Sequence, residues 1–155
     1  MNLLSSRTEV RLFQTAVLAA ALVPIAAGAA GAWGGPEILR GVKVAGPDLE
    51  SHFRYLSGLL LAIGIGFAFA VLDLNRRAIV LRTLGMVVVA GGLARLVGAI
   101  KLGLPGGPHL FALIMELVVV PVVLLWLNRI ERFYNGPPSR TKAEHPMKRL
   151  HSPSK

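Results

Sequence analysis

Four long apolar runs dominate the chain: Leu12–Trp33, Phe53–Leu72, Ala78–Ile100 and His109–Asn128. A helix that crosses a bilayer needs roughly 20 mostly apolar residues, and each run is that long. The pattern predicts an all-α fold, a bundle of four transmembrane helices over residues 1–134, with a basic, disordered tail over residues 135–155. Polar and turn-forming residues fill the gaps. "GGPEILRGVKVAGPDLESH" is a loop punctuated by Gly and Pro, and its "EILRGVKV" suits a short interfacial helix or a strand. "DLNRR" is a tight turn, and "LGLPGGP" is a second one that makes helices three and four an antiparallel hairpin. The tripeptide "GGP" occurs twice but is too short to define a repeat.

Composition sharpens this picture. Of the 155 residues, 54% are hydrophobic, above the 45–50% or so of soluble domains. The absence of cysteine excludes disulfides, thiol redox chemistry, thiolate metal sites and palmitoylation. A net charge of +9 raises the question of nucleic acid, but the placement of the charges answers it differently. Arg7 and Arg11, then Arg76, Arg77 and Arg82, then Arg129, Arg132, Arg140, Lys142, Lys148, Arg149 and Lys155 fall on one side of a four-span chain. These are twelve of the 17 Lys and Arg. Arg40, Lys43 and Lys101 fall on the other side, and Arg54 and Arg95 lie at or within the membrane. Basic loops are retained in the cytoplasm, so both termini are expected there. The tail has no aromatic residue for base stacking; its cations suit anionic lipid head groups or simple solvation, and no nucleic acid is expected.

The first run also has features of a signal peptide: Arg7 and Arg11, then an Ala-rich stretch ending in small residues. Its apolar run exceeds the 7–15 residues or so of such a segment, which favours a retained helix. Small residues recur at helical spacing. Gly58, Ala62, Gly66 and Ala70 form a row on helix two, and Ala16, Ala20, Pro24 and Gly28 one on helix one. Such rows let helices approach closely in lipid. Gly58, Ala62 and Gly66 are therefore expected to pack within the bundle, or else at a homodimer face.

Two charges stand inside apolar runs, Arg95 in "GGLARLVG" and Glu116 in "LIMELVVVP". Arg95 precedes Lys101 by six residues, about 9 Å of helix, and Glu116 follows His109 by seven, about 10 Å. The two thus lie at matching depth on helices joined by a short turn. Charges within membranes usually face the bundle interior and pair. Gly91, Gly92 and Gly98 flank Arg95 and offer a neighbour close approach. Arg54 begins the helix-two row and Tyr55 is beside it, so Arg54, Tyr55, Arg95 and Glu116 are expected to form one polar cluster in the outer half. No comparable ionisable residue is expected in the inner half. The cluster suits either a structural salt bridge or a pocket for an anionic or hydrogen-bonding ligand, such as a lipid head group or a quinone-like ring. Glu50 and His52 stand just above it and are a weak metal signal. Pro121, five residues past Glu116, is placed to kink helix four and re-aim the carboxylate.

Arg54-Tyr55-Leu56-Ser57-Gly58, Gly91-Gly92-Leu93-Ala94-Arg95, the turn at Gly103–Pro105, and Glu116 followed by Pro121 together resemble the DUF4345 family of small bacterial membrane proteins. The resemblance runs from about Ser51 to Leu127. By size and layout the chain is also similar to DoxX-type four-helix membrane proteins. The resemblance implies a multi-pass protein of the bacterial inner membrane and supplies no activity. No nucleotide-binding loop, metal-ligand set or nucleophile–base pair is recognisable, so neither cofactor nor metal is expected. The leading expectation is a non-enzymatic bundle, either an accessory subunit or a ligand- or lipid-binding protein. Membrane lipid is its expected partner, with a larger membrane complex or a homo-oligomer as further candidates. The alternative is a membrane enzyme or small transporter working at Arg54, Arg95 and Glu116.

Overall fold

The computed structural model describes residues 3–39 and 46–134, and these form a helical bundle. Helix α1 spans Leu3–Gly34, α2 Pro47–Val71 and α3 Leu74–Leu102. The fourth span has three pieces: α4 over Gly107–Ile114, a wide π turn over Met115–Val119, and α5 over Val120–Tyr134. All four spans are long and apolar enough to cross a membrane. No strand occurs among the described residues. A short 3-10 turn over Pro36–Ile38 follows α1. Most of the "EILRGVKV" segment and the tail over 135–155 lie outside the described residues.

Local chemistry explains where the helices stop and start. Gly35 has φ 66° and ends α1, with Pro36 behind it; that left-handed conformation is open to glycine at little cost. Pro47 at the first position of α2, with Asp48 and Glu50 in the first turn, matches a helix start. Gly103, at φ 95°, ends α3, and Pro108 lies in the first turn of α4.

The helices pack as an antiparallel ring in chain order. The bundle has a proximal end, with the start of α1, the α2–α3 turn and the end of α5, and a distal end with the other two connections. The α1–α2 seam is the tightest. A Cβ at Gly28 would strike the backbone of Ser57 and Leu61, one at Gly31 the Ser57 side chain, and one at Gly64 the Ile25 and Ala21 backbone. The row of α2 that meets α1 is thus Ser57, Leu61 and Gly64, one helical face away from the expected row. Gly58 has nothing within 4 Å of an added Cβ, and Ala62 is exposed. Gly66 meets only the Leu84 side chain of α3. Gly91 and Gly98 also have nothing within 4 Å. Among the described residues, then, Gly66 alone of the five predicted packing positions sits at a seam.

The proximal end is closed. Phe13 and Val17 of α1, Ala70 and Val71 of α2, Ala78 and Leu81 of α3, and Leu127 and Ile130 of α5 form one buried cluster. Phe13 meets Trp126 edge to face, with ring centroids 5.3 Å apart, an arrangement that aromatic quadrupoles favour. The distal half is open by comparison. No Cα of α1 comes within 8 Å of any in α4 or the π turn.

Candidate functional site

The structure brings Arg95 and Glu116 together. The Arg95 Nε donates to Glu116 Oε2 at 3.0 Å and Nη2 donates to Oε1 at 3.1 Å, a bidentate pair. Two backbone features allow this contact. Gly92, one turn before Arg95, is buried, and a Cβ there would lie 2.8 Å from the Glu116 Cβ and 2.9 Å from Leu117 Cδ2. Only glycine lets the fourth span come so near α3. The second feature is the π turn, whose closing hydrogen bond runs from Val120 N–H to the Met115 carbonyl. Pro121 follows it directly. Proline has no N–H and its ring crowds the carbonyl four residues back, here Leu117. Widening the helix by one residue relieves that conflict and sets Glu116 on the widened turn.

A third side chain joins the pair. The Arg95 Nη1 lies 3.3 Å from His109 Nδ1, at the start of α4. A guanidinium only donates, so in a hydrogen bond between them Nδ1 is the accepting atom. Sequence reasoning used His109 as a marker of depth and missed it as a partner. Its position directly after "GGP", where a helix start faces the end of α3, was the available signal.

Arg54 and Tyr55 stand elsewhere. The Arg54 guanidinium binds Glu50 at 2.6 Å and donates from Nη1 to the carbonyls of Ala32 and Trp33, both at 2.6 Å. The last carbonyls of a helix lack intrahelical partners and carry partial negative charge, so Arg54 caps α1. Tyr55 is exposed, and neither residue borders the cavity described below. Arg54 and Tyr55 therefore belong to an interfacial cap, and the expected single cluster of four divides in two. Among the described residues, no group of three His, Asp or Glu is placed to hold a metal ion.

A second polar group, absent from the sequence expectation, occupies the proximal half. Arg82 donates to Asn128 Oδ1 from Nη2 at 2.8 Å and from Nε at 3.2 Å, and it pairs with Glu131. Arg129 pairs with Glu9 at 3.2 Å. Arg77 caps α2 through the Phe69 carbonyl at 3.0 Å, and its guanidinium lies 3.7 Å over the Phe69 ring. The proximal half thus carries an arginine–carboxylate pair of its own on the same two spans.

What sets the distal pair apart is a cavity of about 160 Å³ among all four spans. Val17, Ala20, Pro24 and Ala27 line it from α1, and Phe67 is one of its walls from α2. Across from α1, Ala112, Met115 and Val119 border it from the fourth span. Arg95 and Glu116 are its only charged lining residues. Pro24 removes one helical hydrogen bond and leaves the Ala20 carbonyl without its usual donor. Backbone freed at membrane depth is tolerated where it lines a cavity, and both residues do so.

Fold and site together define a small polytopic membrane protein with an internal, largely apolar cavity walled on one side by an ion pair. The sequence pattern of the family described as a domain of unknown function (DUF4345) matches residues 12–127, and the chain belongs to that family. The match begins within α1, so it reaches well before the resemblance at Ser51. No curated protein and no solved structure matches the chain.

Proposed function

We propose that this protein is a non-enzymatic bundle of the bacterial inner membrane that takes a lipophilic molecule from the bilayer into its distal cavity. The carrying observation is the cavity itself, apolar throughout except for Arg95 and Glu116. Binding pockets for small molecules combine apolar walls with a few convergent polar groups. The wider separation of α1 from α4, with no Cα pair within 8 Å, favours a lateral path from the lipid between these two helices. The Lys and Arg distribution favours cytoplasmic termini, and with that orientation the Arg95–Glu116 end of the cavity faces the outer side. Reporter fusions after Asn75 and after Gly106 test that orientation and should read inside and outside respectively.

The binding reading is tested by native mass spectrometry of protein extracted in mild detergent. The wild type should retain a small lipophile. Ala112→Leu and Ala20→Leu, which fill the cavity, should fold and lose it. Equal retention in all three would contradict the proposal. A role within a larger membrane complex or a homo-oligomer is favoured by one observation: Gly58 of α2 and Gly91 and Gly98 of α3 present small surfaces that nothing among the described residues fills. Co-purification in mild detergent tests it.

A further inference from the structure

We propose that the part of the occupant that reaches Arg95 is a single uncharged ring carrying an acceptor oxygen, and that a carboxylate or phosphate head is refused. The inference rests on the binding reading above and narrows it to a ligand class.

Charge balance comes first. Glu116 contacts Arg95 through both of its oxygens, and the guanidinium and carboxylate cancel. The polar wall of the cavity, made of Arg95 and Glu116, therefore has no net charge. An anionic head would stand beside the Glu116 carboxylate in a medium of low dielectric, where like charges repel strongly. Displacing Glu116 to make room would strand a charge at membrane depth.

The hydrogen-bond inventory comes second. A guanidinium has five N–H groups. Nε and one N–H of Nη2 serve Glu116, and one N–H of Nη1 serves His109. One N–H remains on each terminal nitrogen. Arg95 is 36% exposed and borders the cavity, so an acceptor such as a ketone or ester carbonyl completes its set without disturbing the pair. Size comes third. At about 160 Å³, the cavity matches the roughly 150 Å³ apolar cavities that hold one benzene. One six-membered ring fits, with any alkyl chain leaving between the widely separated α1 and α4.

Three ring-sized probes separate the possibilities: acetophenone, toluene and benzoate, which offer an uncharged acceptor, no acceptor and an anion. Their binding to the full-length protein in detergent is read by ligand-observed NMR, with protein-free micelles subtracted. Acetophenone should bind at least about tenfold more tightly than toluene. A hydrogen bond to a charged donor is commonly that strong, and tenfold corresponds to about 1.4 kcal/mol. Benzoate should not bind. In Arg95→Leu/Glu116→Leu, which removes both charges together, acetophenone should fall to the level of toluene. Equal binding of acetophenone and toluene to the wild type would overturn the acceptor claim and leave the cavity standing. Tightest binding by benzoate would overturn the charge balance. Failure of all three to bind the wild type would overturn the binding reading itself.

Discussion

The two halves of the seam between α3 and the fourth span carry the same chemistry in different surroundings. In each, an arginine of α3 reaches a carboxylate on the antiparallel span: Arg82 to Glu131 proximally, Arg95 to Glu116 distally. The proximal arginine also satisfies Asn128 and sits beside Leu81, Leu127 and Ile130, all buried in the closed core. The distal pair stands on a π turn, is reached across Gly92 and borders a cavity. An intramembrane ion pair alone therefore does not mark a site, because the proximal one closes a bundle end. The missing packing on one side of the pair is what distinguishes the distal one.

The largest expected effect comes from closing the approach that the distal pair needs. Gly92→Leu forces side-chain atoms into the space of Glu116 and Leu117 and should abolish most folded protein, scored as monodisperse yield in detergent. Gly91→Leu, one residue away with nothing within 4 Å, should fold normally as a monomer. Equal yields for the two would remove the close-approach argument.

Smaller losses follow from breaking either pair. Arg82→Leu and Arg95→Leu should each lower stability by about 1–3 kcal/mol, the usual cost of leaving a hydrogen-bonded partner unsatisfied. Removing one partner strands the other, and removing both does not. Arg95→Leu/Glu116→Leu should thus recover part of the loss in melting temperature. Strictly additive losses would contradict the pairing. The comparison sharpens on the second readout: only the distal substitutions should change the retention of a small lipophile.

The smallest effect belongs to Pro121→Ala. Without the proline, Leu117 can regain an α-helical partner, and the π turn loses its cause. Stability should hold within about 1 kcal/mol of the wild type, as for an ordinary helix substitution. Affinity for an acceptor probe should drop as the Glu116 carboxylate moves. Unchanged affinity would mean that the turn does not position the site.

Much of this architecture was legible in the chain. Run length alone gave the four helices, and equal depth on a hairpin gave the Arg95–Glu116 contact, because membrane burial of charge is costly enough to dominate other terms. The α1–α2 register was not legible. Transmembrane helices are apolar on every side, and the close approach here is made by Gly28 of α1 against the Leu61 backbone, so small residues on α2 alone point to the Gly58–Ala62–Gly66 row and only the partner reveals the Ser57–Leu61–Gly64 face. Arg82 reads as a loop residue when grouped with the cations Arg76 and Arg77, whereas α3 begins at Leu74 and carries it two turns into the helix. Glu131 fell past the last apolar run, whereas α5 continues to Tyr134. Arg54 seemed aligned with the distal pair by position along α2, yet the free carbonyls of α1 compete for it successfully. The cavity had no signature in any single segment, since it arises from the separation of α1 and α4.

That asymmetry, closed proximally and open distally, is the central claim, and the absence of cysteine makes it directly measurable. Ala112→Cys places a single thiol on the cavity wall, and Ala78→Cys places one in the proximal core. Both are treated in mild detergent with a small apolar methanethiosulfonate reagent, and modification is followed over time by mass spectrometry. The account predicts that Cys at position 112 is modified readily and is protected by acetophenone, while Cys at position 78 stays unmodified until the protein is denatured. Equal rates at the two positions, or no protection at 112, would contradict it.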